Sequence, residues 1–276
     1  VLTRVVVYSQ WANVDPLVLN VTDRPETDPF EVRNIDGLGP VKADINTVDR
    51  GSIPGTGFVG SNVGERNLVF TLGVTPDWEN LTVSEARRLL DKYFMPEQSV
   101  ALTFETNEYA PVEISGWVES NEANLFTKDS EHQISIICPE LYFKAIDPIV
   151  IEGNTTDGPV DITYEGNVET GINVVITHTG SKPDYVKFKV MEPEETYIQI
   201  AEVSDISGVV EIEISTVPGN KYVRNNEEDE GHVSLLGTTE MTNWLVLSPD
   251  TVSADIESNN GVQDWTITYR PLFGSL

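Results

Sequence analysis

Short runs in which apolar and polar residues alternate recur along the whole chain, and a period of two commits such segments to strands with one dry and one wet face. In the first half the pattern appears in Leu68-Val69-Phe70-Thr71-Leu72, Val100-Ala101-Leu102-Thr103-Phe104 and Val112-Glu113-Ile114-Ser115. In the second half it appears in Tyr185-Val186-Lys187-Phe188-Lys189-Val190, Val210-Glu211-Ile212-Glu213-Ile214 and Trp265-Thr266-Ile267-Thr268-Tyr269. Charged and hydroxyl residues there alternate with β-branched and aromatic ones, as in antiparallel sheets wet on one side. The chain is predicted to be mainly β.

One segment breaks the period. Over residues 83–94, Val83, Ala86, Leu89, Leu90 and Tyr93 recur at three-and-four spacing, the stripe of an amphipathic helix. Thr82 and Glu85 form a capping-box pair at its start, and Pro96 closes it. Between the early strands lies Arg50 to Glu65, with five Gly and one Pro in sixteen residues, which reads as a long loop. Turn-forming residues cluster at Asp147-Pro148 and Gly153-Asn154-Thr155-Thr156-Asp157-Gly158-Pro159. That cluster predicts two domains, 1–150 with strands and one helix, and 151–276 with strands only.

The 276 residues are 39% hydrophobic, with five Trp, nine Tyr and nine Phe, enough to bury a core in each domain. No run approaches the ~18 apolar residues of a membrane span, and Val1-Leu2-Thr3-Arg4 does not open a signal peptide, so the chain is expected to be soluble and made in the cytoplasm. Net charge is −28, carried by both halves: 11 basic and 23 acidic residues to position 150, 6 and 22 after it, or −12 and −16. Such a surface repels phosphate and argues against specific nucleic-acid binding.

Catalytic signatures are missing. His132, His178, His232 and the single Cys138 are not at metal-ligand spacing, and Cys138 sits in an alternating run as a core residue. No G-x-S-x-G elbow occurs, and the Gly-rich segment lacks the Lys-Ser/Thr ending of a phosphate loop. With forty-five acids, carboxylate pairs at glycosidase separation arise by chance. The acidic run Asn225 to Glu230 lacks the calcium-loop pattern and reads as a hairpin tip. No catalytic residue, metal or cofactor is expected. Trp244 and Trp265 are candidates for stacking on sugar rings, although alternation at Trp265 also suits a core strand.

Order along the chain adds a resemblance. Phe30-Glu31-Val32-Arg33-Asn34-Ile35-Asp36-Gly37-Leu38-Gly39-Pro40, then the Gly-rich segment, Gly64-Glu65-Arg66-Asn67-Leu68, and finally Cys138-Pro139-Glu140-Leu141-Tyr142-Phe143 resemble the N-terminal domain of the siphophage distal tail family. The entry motif is one residue shorter than that family's. Glu169-Thr170-Gly171, Val217-Pro218-Gly219-Asn220-Lys221-Tyr222, Thr242-Asn243-Trp244-Leu245 and Tyr269-Arg270-Pro271-Leu272-Phe273-Gly274 are similar to its C-terminal domain. The resemblance implies an N-terminal β-sandwich-like domain that forms a homohexameric ring, and a peripheral jelly-roll or galectin-like β-sandwich. It implies a structural hub in the virion, at the tail tip, and not an enzyme. Partners would be other copies of the chain, the tail tube protein, tail-tip and tape-measure-associated proteins, and receptor-binding proteins. Arg50, Phe58 and Arg66 are the subunit-interface candidates. The rival reading is a carbohydrate-binding adhesion module for host surface glycans.

Overall fold

The computed structural model describes residues 1–11, 14–75, 81–124, 130–179, 183–201, 211–227, 231–234, 239–241 and 243–276. It is mainly β, with one helix among the described residues, and divides into two compact units. The first is Val1–Ile146 together with Phe273–Leu276, and the second is Asp147–Leu272. The last four residues, expected from sequence in the second domain, thus belong to the first.

The first unit contains β1 (Leu2–Ser9), β2 (Leu17–Asn20), β3 (Phe30–Asp36), β4 (Ala43–Asp49), β5 (Thr56–Val63), β6 (Arg66–Val74), α1 (Val83–Tyr93), β7 (Ser99–Thr106), β8 (Val112–Ala123), β9 (Ser130–Cys138) and β10 (Phe143–Ala145). Its antiparallel sheet runs β2-β1-β7-β8-β9-β6-β3, with β10 also on β8. Edge strands β2 and β3 touch each other, so the sheet curls nearly closed around its own core. Alternation delivers Leu68, Phe70 and Leu72 of β6 and Leu102 and Phe104 of β7 to that core, all fully buried. Helix α1 adds Ala86, Leu90 and Tyr93.

α1 begins where its local signals place it. The Glu85 amide donates to Thr82 Oγ1 at 3.3 Å, and the Thr82 amide donates to Glu85 Oε2 at 2.9 Å, satisfying donors that a helix start leaves unpaired. Hydrogen bonds to Thr82 hold the exposed Glu85 carboxyl below its ordinary pKa.

The second unit contains β11 (Ile149–Asn154), β12 (Val160–Asp161), β13 (Thr170–Gly171), β14 (Asn173–Thr179), β15 (Tyr185–Met191), β16 (Glu195–Ala201), β17 (Glu211–Ser215), β18 (Tyr222–Glu227), β19 (Gly231–Ser234), β20 (Thr239–Met241), β21 (Val246–Leu247), β22 (Ser253–Ser258) and β23 (Val262–Tyr269). A six-stranded sheet, β11-β23-β14-β17-β18-β19, and a five-stranded sheet, β12-β22-β15-β16-β20, share one core, which makes this unit a β-sandwich. Phe188 from one sheet meets Trp265 from the other edge to face, with centroids 5.5 Å apart. β18 and β19 pair across the acidic run, whose residues 228–230 lie outside the described residues.

Candidate functional site

The segment 50–65, expected to be a loop, is largely strand. β4 and β5 pair antiparallel from Ala43↔Val63 to Asp49↔Thr56, with a bulge at Asn46/Thr47, and form a two-stranded sheet of their own. Glycine hides this hairpin from an alternation search, because Gly57 and Gly60 interrupt the period within β5. At the tip, Gly51 (φ +68°) and Gly55 (φ +100°) take the left-handed conformations that reverse the chain, and Asp49 Oδ1 accepts from the Gly51 amide at 3.1 Å.

No residue of either strand is buried. Phe58 is 68% exposed and Val59 66%, with Ile45, Val48 and Ile53 also exposed. An isolated hairpin is marginal in water, and this one gathers exposed apolar side chains rather than burying them within its own chain. Arg50 lies at the tip and makes no ion pair among the described residues, its guanidinium passing beside Gly57. Two of the three interface candidates, Arg50 and Phe58, therefore stand on one projecting arm.

Arg66 does not join them. It opens β6 at 1% exposure, where its Nε donates to Leu141 O at 2.8 Å, Nη1 to Gly37 O and to Gly39 O at 2.8 Å, and Nη2 to Gly274 O at 2.7 Å. The guanidinium lies 4.5 Å from the Phe143 ring centroid. Burial lowers its pKa. A guanidinium spent on four carbonyls inside its own unit is not offered to a neighbour. The geometry explains the motif order: Gly37 (φ +89°), where a Cβ would strike the Asn67 carbonyl, and Gly39 present main-chain oxygens to Arg66.

The sugar-stacking candidates separate in the same way. Trp265 is 1% exposed in the sandwich core and has no face to give a sugar ring. Trp244 is half-buried against that core, with Lys221 Nζ 5.4 Å from its ring centroid. His132 is buried and shares a hydrogen bond with Asn121 Oδ1 at 3.0 Å, while Asn121 also donates to Asp91 of α1. Burial, reinforced by the Arg87 charge, lowers its pKa. Among the described residues no group of three or more His, Cys, Asp or Glu is placed to hold a metal ion, and no helix is long and apolar enough to cross a membrane.

Sequence reading missed one feature beside the arm's root. A hollow of about 410 Å³ is lined by Val63, Gly64, Glu65, Ile137, Pro139 and Leu141. Trp117 of β8 pairs with Ile137 of β9, which puts the two side chains on one side of the sheet, and Trp117 is 53% exposed. The exposed Trp on an alternating strand was the available signal.

No protein-family model matches the sequence, and no curated protein matches it. Structure carries further. The SPP1 Dit protein, described as a hub of the adsorption apparatus in phages that infect Gram-positive bacteria, superposes with a TM-score of 0.63, covering 98% of this chain and 99% of that one at 11% identity. This chain has the fold of SPP1 Dit. Two structures of the phage p2 baseplate in its activated conformation, with calcium and with strontium, cover 99% of both chains at 11% and 10% identity. Their TM-scores of 0.42 carry no argument about this chain. The fold shared with SPP1 Dit spans both units, so the likeness is not confined to a common β-sandwich.

Proposed function

We propose that this chain is a structural hub subunit of a phage tail tip, which assembles with copies of itself into a ring, joins the tail tube to the host-attachment apparatus, and catalyses nothing. The observation that carries the reading is the fold likeness to SPP1 Dit over 98% of the chain. The exposed arm supports it, because a structural ring needs a surface that each subunit gives to the next. The net charge of −28 supports it too, since an acidic lumen repels the phosphates of passing DNA where a basic one would retain them. On this reading the partners are the tail tube and tail-tip proteins, with receptor-binding proteins outside, and the protein resides in the virion. A glycan-binding role would need an exposed aromatic platform, which the buried Trp265 does not supply.

Native mass spectrometry and light scattering test the reading. The purified chain is expected as hexamers or stacked pairs of hexamers. A chain that stays monomeric in solution and is not found as a ring in images of particles would overturn it.

A further inference from the structure

The arm and the hollow belong to the same unit, yet the arm cannot fill the hollow of its own chain. Opposed residues of a hairpin point to one side, so Ala43, Ile45, Thr47 and Asp49 share a face with Val63, Ser61, Phe58 and Thr56, and Phe58 is the largest apolar group on it. Asp44, Asn46 and Asn62 occupy the other face with Val48. Val63 is both the root of the arm and part of the hollow's wall. Four residues separate it from Phe58, roughly 16 Å at strand rise, and the pairing with β4 keeps that span extended on either side of the bulge at Val59. Phe58 therefore lies well up the arm from a hollow of about 410 Å³ and is not part of its lining.

Charge is matched as well. Arg50 lies beside Gly57, one residue from Phe58, and Glu65 lines the hollow. Neither makes an ion pair among the described residues. In a chain of net charge −28 an unpaired cation at an arm's tip has acidic surface to seek, and unpaired Glu65 at the edge of an apolar hollow is a specific one.

We infer that the β4–β5 arm of one subunit seats Phe58 in the hollow formed by Val63, Ile137, Pro139 and Leu141 of a second copy, with Arg50 meeting that copy's Glu65 and Trp117 closing over the joint. The contact is heterologous, different surfaces on the two copies, and such contacts close into rings when repeated by rotation. An aromatic anchor in an apolar pocket, flanked by a Trp and an Arg, has the composition of an interface hot spot. This inference rests on the reading of the chain as a self-assembling hub and adds the residues that join one subunit to the next.

The test uses the full chain and variants at exposed positions. Phe58→Ala is expected to weaken each joint about 30-fold, the effect of losing one hot-spot anchor, and so to shift rings to smaller species with unchanged far-ultraviolet dichroism. Arg50→Glu and Glu65→Arg should each disrupt rings, and combining them should restore rings. Gly64 has open space where a Cβ would be and does not take a positive φ, so Gly64→Trp can plug the hollow without strain in the backbone. Mixing an arm-defective chain (Phe58→Ala with Arg50→Glu) with the plugged chain should give one-to-one heterodimers and no rings, because each such pair retains a single intact arm and a single open hollow. If the wild type forms rings and the plugged or charge-reversed chains do so equally well, the inference fails and the hub reading stands. A wild type that forms no ring alone or in particles overturns both.

Discussion

Arg66 is a buried cation whose donors all go to main-chain oxygens, and no carboxylate lies at ion-pair distance among the described residues. Desolvating a guanidinium is costly, and it persists because the carbonyls of Leu141, Gly37, Gly39 and Gly274 take up its buried donors. Arg66→Met keeps most of the packing against Phe143 and removes every donor. It is expected to destabilise the first unit by about 3 kcal/mol, lowering its calorimetric midpoint by roughly 6–12 °C. Arg66→Lys should recover only part of this, since one ammonium cannot reach acceptors from separate segments. A midpoint unmoved in Arg66→Met would show that the clamp is not structural. Cys138, beside it on the same ladder, is fully buried, and burial pushes its thiol up to about 12. Native protein at pH 8 should therefore resist a thiol-directed reagent that labels the unfolded chain at once; labelling at the free-thiol rate without denaturant would contradict the placement. The sign on stability follows: because the folded value is raised, this contribution is complete below the unfolded value of about 8.5 and fades as pH rises toward about 12.

At the scale of elements, what could be read from sequence was what is encoded locally. Helix α1 announces itself by its apolar stripe and by Thr82 and Glu85, all within one segment. Thr82→Ala should cost about 1 kcal/mol and lower the first unit's midpoint by roughly 2–4 °C. Because Glu85 is held below its ordinary pKa, the stability the box contributes is complete above the unfolded value of about 4.3 and is lost as pH falls through the lower folded value, so the Thr82→Ala penalty should shrink in acid. A penalty that stays constant down to pH 3 would argue against the reciprocal bond. The β4–β5 arm was not legible because alternation reports a contrast between buried and wet faces, and the arm has no buried face within its own chain. Arg66 was legible as part of a motif, and the resemblance that motif carries made it an interface candidate, but its acceptors lie 27 to 208 residues away in sequence. Trp265 shows the converse: its alternation with Ile267 and Tyr269 marked a core strand, and the core is where it lies.

At the scale of the molecule, the chain leaves its first unit after Ile146, builds the whole second unit, and returns with Phe273–Leu276. That return holds three kinds of contact at once. Phe273 stacks on Tyr109 with ring centroids 6.1 Å apart, Gly274 O accepts from Arg66, and the Leu276 amide donates to Leu38 O at 3.0 Å. The second unit has its own sandwich core, including Phe188, Ile214 and Trp265, so residues 147–272 expressed alone should unfold in a single cooperative transition. Deleting Phe273–Leu276 from the full chain is a sharper test of the division. The deletion removes an aromatic contact and a backbone bond, and it strips the buried Arg66 of one of its four acceptors. The first unit should therefore lose about 2–4 kcal/mol, a fall of roughly 4–16 °C in its midpoint, while the second unit's transition stays where it is in the isolated 147–272 fragment. Supplying the missing residues as a free peptide should restore little, because tethering through the second unit gives the native tail an effective concentration that a dilute peptide lacks. Calorimetry of the deleted chain decides between outcomes. A drop confined to one transition establishes that the last four residues belong energetically to the first unit, whereas a fall in both transitions together would mean that the two units do not fold as separate bodies.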